Sequence, residues 1–253
     1  MAENQSNQPK EVTQEEVEKT LKDNIRHILW DLDHTLWDFT ANSDATMRVV
    51  WEKYALYELF CSYEDFIRIY DMHNSILWNQ YGIGMISKEQ LKVARFWRPL
   101  EGAGVNNWKL SKEISDFYLD DTTTRLNKTL PGALETLAEL QKRGYHQHIV
   151  TNGFKEVQYK KTHNSGIGKY IENIFISEEV GAMKPRKAFF DAVMSKINAH
   201  PSECAIVGDS PDNDIVGAQE YGIRTFFYNS RNCLAEGMNT ETIDSLGDLL
   251  NVL

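Results

Sequence analysis

The sequence predicts an α/β protein: a doubly wound, Rossmann-like parallel sheet core with an inserted all-helical cap domain. Three observations predict it. Short apolar runs alternate with helical patterns after residue 125, which is typical of parallel sheets covered by helices on both faces. The run from Ile25 is apolar and ends in acids, as expected of a strand buried on both faces. Between about Asn42 and Thr124 the apolar residues recur at helical spacing instead.

The chain begins with a polar stretch of about 24 residues. Thr13 is followed three residues later by Glu16, a capping-box pattern that predicts a short helix. We therefore interpret residues 1–24 as an N-terminal helical appendage. Residues 25–41 and 125–253 are assigned to the α/β core, and residues 42–124 to the helical cap.

Within the predicted cap, helix starts are indicated at Ser62 to Asp65 and at Ser87 to Gln90, and glycines at 82 and 84 indicate a break. The segment is rich in aromatic residues and holds 14 of the 28 in the chain. Most of these rings are expected to pack inside the cap, because their spacing is helical. A minority could stack on a flat substrate such as a nucleobase.

After the cap, Pro131 and Gly132 open a helix that Gly144 ends. Strands and helices then alternate. The predicted strands start at His146, span Ile174 to Ser177, and start at Cys204 and Arg224; the predicted helices start at about Lys155, after Pro185, at about Asn213 and near Leu246. His146 and His148 share one face of their strand, and we interpret them as hydrogen-bonded structural residues rather than a metal pair.

Charge and composition exclude several classes of protein. The chain of 253 residues carries 27 Lys and Arg against 37 Asp and Glu, a net charge of −10. That charge opposes binding to nucleic acid polymers and anionic lipid, and we expect neither as a partner. No apolar run reaches the ~18 to 20 residues of a membrane span, and the first residues lack a signal-peptide pattern. Three scattered cysteines favour a reducing, cytoplasmic setting. A monomer or a small homo-oligomer is expected.

Polar residues follow four predicted strands. They are Asp31, Asp33 and Thr35 after the first, Thr151 and Asn152 after the second, Lys184 beyond the third, and Asp209 with Asp214 after the fourth. Ligands of open parallel sheets bind at the carboxyl ends of the strands, so these side chains should share one crevice. Clustered carboxylates need a cation, and hard oxygen ligands favour Mg²⁺. A lysine and neutral donors beside that cation suit a phosphoryl group.

These four motifs, in this order, resemble those of the haloacid dehalogenase superfamily: DLDHT, the strand ending in TN, Lys184-Pro, and GDSPDND from Gly208. The resemblance extends from about Ile25 to Leu253. It implies that Asp31 is a nucleophile that forms an aspartyl-phosphate and that Asp33 is the general acid and base. The neighbouring Thr35 would tether the loop.

The resemblance also implies the remaining roles. Mg²⁺ would be held by Asp31, the backbone carbonyl of Asp33, and Asp209. Asp214 would act through a metal-bound water or by orienting Lys184. The phosphoryl oxygens would accept hydrogen bonds from Thr151 and Asn152, and Lys184 would offset the charge on the nucleophile and the phosphoryl group.

The opening WDLDHTLWDF, the TNGF at Thr151 and the ISEEVGAMKPRKAFFDAV from Ile176 are similar to one branch of the capped phosphatases. That branch hydrolyses pyrimidine nucleoside 5′-monophosphates. The resemblance thus implies a Mg²⁺-dependent phosphomonoesterase, a 5′-nucleotidase, whose partner is a small phosphorylated metabolite such as a nucleoside monophosphate.

Other functions stay open at this point. A phosphatase or phosphomutase acting on sugar phosphates would keep both aspartates. A 2-haloacid dehalogenase would share the nucleophile, but Asp33 and Thr35 argue against it. A receiver-type signalling module would also present an acceptor aspartate, a threonine and a lysine, but it would need neither Asp33 nor a large cap.

Overall fold

The structure, a computed structural model, describes residues 24–229 and 240–253. The predicted N-terminal appendage, with its capping box at Thr13 and Glu16, lies outside these residues except for its last position, as does Cys233. Cys61 is exposed and Cys204 buried, both as free thiols. Within the described part of the chain, no helix combines the length and the apolar character needed to cross a bilayer.

A six-stranded parallel sheet forms the centre of the molecule. Its strands are β1 (His27–Trp30), β2 (His146–Thr151), β3 (Asn173–Ile176), β4 (Cys204–Gly208), β5 (Arg224–Tyr228) and β6 (Glu241–Ile243). The spatial order is β3-β2-β1-β4-β5-β6. His27 pairs with His146 on one side and with Cys204 on the other, so β1 is central. The reversal of strand order at β1 is the doubly wound topology, and it confirms the predicted fold class.

Both faces of the sheet are covered by apolar layers, which explains why its strands read as nearly continuous hydrophobic runs. On one face Ile28 and Trp30 pack with Leu137 and Leu249. On the other, Leu29 packs against the layer that contains Phe189. The helices that supply these layers are α5 (Ala133–Lys142), α7 (Ser177–Val180), α8 (Lys187–Ile197), α9 (Gly217–Tyr221) and α10 (Leu249–Val252). The remaining core helix, α6 (Lys155–Asn164), instead contributes Val157 to a cluster shared with the cap helices.

Four helices lie between β1 and α5: α1 (Phe39–Lys53), α2 (Tyr63–Gly82), α3 (Lys88–Gly102) and α4 (Trp108–Thr122). The Ser62 hydroxyl accepts a hydrogen bond from Asp65 N (3.1 Å) at the start of α2. A full capping box joins Ser87 and Gln90 at the start of α3. Both helix starts predicted from the sequence are confirmed. The cap limits at residues 42 and 124 stay a prediction.

The first of these helices begins at Phe39, three residues before the predicted cap boundary. The Asp38 carboxylate accepts a hydrogen bond from Ala41 N (3.0 Å), so the side chain caps the helix. The four helices share a core of their own that contains Met47, Phe66 and Ile114. Most of the aromatic rings therefore serve packing.

The sequence did not reveal two elements of the core, β6 and α7, and a third begins earlier than predicted. β6 has only three residues, too few to show a period, and joins the sheet edge by pairing with β5. α7 is a single turn directly after β3. The helix expected from Asn213 starts earlier, as a π-helical turn over Pro211–Val216 that continues into α9. Ser210 caps this turn by accepting a hydrogen bond from Asn213 N at 3.3 Å.

Candidate active site

The first site residue, Asp31, follows β1 and is 8% exposed. Its Oδ1 accepts a hydrogen bond from Lys184 Nζ at 2.7 Å. The same ammonium donates to Asp214 Oδ1 and to the backbone carbonyl of Val150, both at 2.7 Å. All three donor positions of Lys184 are thus used, and the lysine is fixed between two buried carboxylates.

Asp31, Asp209 and Asp214 form a cluster of buried carboxylates. Each offers one oxygen within 4.8 Å of the other two. The Thr35 hydroxyl donates to Asp209 Oδ1 at 3.4 Å, which agrees with a tethering role. Ser210 N donates to Asp214 Oδ2 at 3.0 Å, so the two oxygens of Asp214 hold the loop and Lys184. This oxygen-rich donor set fits a hard divalent cation.

Electrostatics favour a second cation beside Lys184. Burial raises the pKa of Asp31 well above its ordinary value; Lys184 opposes that rise, while Asp214 and Asp209 add to it. Burial lowers the pKa of Lys184, but the charges of Asp214 and Asp31 outweigh burial and raise it. The ammonium is therefore protonated, yet one positive charge faces three acids. A divalent cation would hold Asp31 in the ionised form that a nucleophile requires.

The Asp33 side chain points away from this cluster and toward α6. Its Oδ1 accepts from Lys161 Nζ at 2.5 Å and its Oδ2 from Gln158 Nε2 at 2.9 Å. Burial lowers the pKa of Lys161, and the Asp33 charge counters that effect. Only the backbone carbonyl of Asp33 would thus be available to a metal, as the resemblance implies.

Gln158 and Lys161 are site residues that the sequence analysis missed. Both are buried on α6, at 0% and 3% exposure. Helical spacing was the available signal, because Phe154, Gln158 and Lys161 lie four and three residues apart and all face inward. A buried glutamine and lysine among apolar neighbours need partners, and Asp33 is the partner.

Thr151 and Asn152 lie at the end of β2, where the sequence places them. The Thr151 hydroxyl oxygen accepts hydrogen bonds from Gln158 Nε2 (2.7 Å) and Gly153 N (3.2 Å), which leaves its own proton for another acceptor. The Asn152 side chain instead exchanges two 3.0 Å hydrogen bonds with the backbone of Lys184. Its amide thereby positions the lysine, and donation from that amide to a phosphoryl group stays a prediction.

The predicted site residues from four strand ends therefore meet at the carboxyl edge of the sheet, with Asp33 at the border between the core and the cap helices. His146 and His148 lie elsewhere, near the edge formed by β3. His148 Nε2 is 3.1 Å from His27 Nδ1, and His148 Nδ1 is 3.1 Å from Asn173 Nδ2. Hydrogen bonding accounts for His148, as expected.

Comparison with known proteins identifies the family to which this chain belongs. A family model described as haloacid dehalogenase-like hydrolase matches residues 25–222. The pyrimidine 5′-nucleotidase PynA of Streptococcus pneumoniae is 30% identical over 232 residues, which cover 90% of this chain and 94% of that protein. The pyrimidine 5′-nucleotidase YjjG of Escherichia coli is 31% identical, over 89% of this chain and 96% of its own length.

A solved structure supports the same family. The HAD-hydrolase YfnB of Bacillus subtilis, in a crystal form bound to magnesium, superposes with a TM-score of 0.78 at 27% identity. The match covers 91% of this chain and 99% of YfnB. On the family match and the near full-length relatives, this chain belongs to the haloacid dehalogenase-like hydrolases and is an enzyme of that family.

Proposed function

We propose that the protein is a Mg²⁺-dependent phosphomonoesterase that hydrolyses pyrimidine nucleoside 5′-monophosphates through an aspartyl-phosphate. One observation carries the proposal: the buried Asp31 carboxylate is held by Lys184 beside two further acids, with Asp33 two residues on at the border with the cap. The two pyrimidine 5′-nucleotidases among the relatives support the choice of substrate.

In the proposed reaction the two acids act in turn. Asp33, whose oxygens accept from Lys161 and Gln158 in this structure, would turn toward the leaving oxygen and carry a proton. An Asp31 oxygen attacks phosphorus, so an O–P bond forms while the bond to the nucleoside oxygen breaks, and Asp33 gives that oxygen its proton. Asp33 then takes a proton from water, whose oxygen attacks the same phosphorus. Inorganic phosphate leaves and the Asp31 carboxylate is restored. Lys184 and the Thr151 hydroxyl stabilise the charge that develops on the phosphoryl oxygens.

Mg²⁺ fits the carboxylate cluster. Asp31, Asp209 and the backbone carbonyl of Asp33 would hold it, and Asp214 would act by orienting Lys184, to which it is already hydrogen-bonded. When bound, Mg²⁺ would neutralise charge on the phosphoryl oxygens and keep Asp31 ionised.

The test is phosphate release across a panel of substrates, with and without a chelator. We expect release from UMP, dUMP or dTMP to exceed release from purine nucleotides, ribose 5-phosphate and phosphoglycolate, and to stop when the metal is chelated. A preference for sugar phosphates would keep the phosphatase and remove the nucleotidase assignment. Transfer of phosphate between sugar hydroxyls without release would point to a mutase and contradict the proposal.

A further inference from the structure

A cavity between the cap helices and the core lies directly beside Asp33. Its walls include Asn74, Trp78, Arg95 and Tyr118 from the cap helices, and Asp33 and Phe154 from the core. The general acid would release the leaving group at this border, so the cavity is where the non-phosphate part of a substrate would lie.

Arg95 has an unusual environment in this cavity. It is 4% exposed, and its Nε and Nη2 are buried with no hydrogen-bond partner among the described residues. No salt bridge joins Arg95 to a carboxylate of the described residues, and its guanidinium instead lies 4.9 Å from the centre of the Tyr118 ring. Buried cations are nearly always paired, so an unpaired one implies an acceptor that a ligand supplies.

Asn74 adds a complementary group. Its Oδ1 is buried and lacks a partner within the described part of the chain. The cavity thus offers donors on Arg95 and an acceptor on Asn74. Beside them, the rings of Trp78 and Phe154 stack with centroids 4.9 Å apart and planes 24° from parallel. Such flat apolar walls suit a planar ligand.

We propose that Arg95 and Asn74 bind the edge of the pyrimidine base, an inference that rests on the proposed function and specifies its substrate. A pyrimidine carries carbonyl oxygens, which accept from a guanidinium, next to an N–H or amino group, which donates to an amide oxygen. A second anionic group on the substrate would also attract Arg95. Asp33 and its ion-pair partner Lys161 both line the same cavity and offset each other, so a carboxylate-bearing substrate must be compared directly in the test.

The test compares kcat/KM for UMP with kcat/KM for ribose 5-phosphate, which keeps the sugar phosphate and lacks the base. In Arg95→Met we expect the ratio of UMP to ribose 5-phosphate to fall roughly tenfold or more, because a site built to hydrogen-bond its substrate loses most of its discrimination with the donor. Phosphoglycolate, which carries a carboxylate, is the third substrate.

The matched control is Arg98→Met, which removes an exposed arginine from the same helix. In this control the ratio of UMP to ribose 5-phosphate should stay at the wild-type value. The melting temperature of Arg95→Met should not fall, since the variant removes a buried cation whose Nε and Nη2 have no hydrogen-bond partner among the described residues. The inference would be overturned if Arg95→Met left the ratio of UMP to ribose 5-phosphate unchanged, whether or not kcat/KM fell equally for both. A selective loss of kcat/KM for phosphoglycolate would also overturn it.

The wild-type enzyme separates this inference from the proposed function. If the wild-type kcat/KM for ribose 5-phosphate equals that for UMP, the enzyme does not recognise the base. In that case the inference is wrong and the phosphatase assignment stands. If the wild-type enzyme releases phosphate from none of the three substrates, the proposed function fails and this inference fails with it.

Discussion

Lys184 is the residue on which the charge balance of the site depends. It is 3% exposed and donates to Asp31 and Asp214. Lys184→Met would leave two buried carboxylates without their cation, which should cost roughly 3–5 kcal/mol of unfolding free energy and abolish turnover. Denaturant unfolding in chelator measures the first effect. An unchanged midpoint would show that Lys184 does not compensate the acids.

His148 gives a pH-dependent contribution to stability. Burial lowers the pKa of His148 from 6.5 to about 4, with His27 and His146 adding to the shift and Glu172 opposing it. The unfolded chain therefore binds more protons between these values, and stability falls as the pH drops from 6.5 toward 4. Between pH 7 and pH 5 the loss should be about 2 kcal/mol at most.

The His148→Gln variant isolates that contribution. Both proteins are unfolded in denaturant at pH 7 and at pH 5, and the wild type should lose more stability than the variant. Equal losses would mean that His148 is not responsible.

At the residue scale, the acids and Lys184 could be identified from the sequence because each follows an apolar strand, and parallel strands end at one edge. The direction in which each side chain points could not be predicted from the sequence. Asn152 binds the backbone of Lys184 because the loop from α7 passes beside the end of β2, a long-range contact that no local pattern encodes.

At the scale of secondary structure elements, α6 is the element that holds Asp33, the proposed general acid. Lys161 and Gln158 each donate to one oxygen of Asp33. Lys161→Met should lower kcat by roughly tenfold or more, because a misplaced acid loses most of its benefit. Lys155→Met is the control: this lysine lies on the same helix, is half-exposed and pairs with Glu179, another core residue. Steady-state kinetics measure both, and equal effects would contradict a specific role for Lys161.

The secondary structure elements also show which features a local sequence pattern can predict and which it cannot. Helices with capping residues, such as α2 and α3, could be predicted at their starts because the cap is a local hydrogen bond. β6 could not, since three residues at a sheet edge are defined by pairing with β5 rather than by their own composition.

At the scale of the whole molecule, ion pairs join the cap helices to the core. Lys88 at the start of α3 lies 2.6 Å from Glu156 Oε2 and 2.9 Å from Glu178 Oε2. The three side chains are partly exposed, so the bridge should be modest and sensitive to salt. It contributes to holding the cap against the site.

Lys88→Met should raise KM by roughly two- to fivefold with a smaller change in kcat. Part of the free energy of substrate binding would then be used to hold the cap against the core in place of the lost ion pair. The control is Lys112→Met, which breaks an exposed pair with Asp116 inside α4. The KM difference between Lys88→Met and wild type should shrink at high salt. If the KM of Lys88→Met equals the KM of Lys112→Met, the ion pairs of Lys88 do not contribute to substrate binding.

The overall architecture was predictable because alternation of strands with helices, and the switch to helical spacing in the insert, are repeated over many residues. The face that the cap presents to the core could not be predicted, because it depends on Arg95 and Asn74 lining one cavity with Asp33, residues far apart in the sequence.

The most direct test of the central claim is to trap the phosphorylated enzyme. p-Nitrophenyl phosphate has a leaving group that needs no proton, so Asp33→Asn should still be phosphorylated but should lose its phosphate slowly. With ³²P-labelled substrate and an acid quench, we expect label on the peptide that contains Asp31, brief in the wild type, accumulating in Asp33→Asn and absent in Asp31→Asn. Phosphate release without label on that peptide, or label that survives Asp31→Asn, would contradict the account.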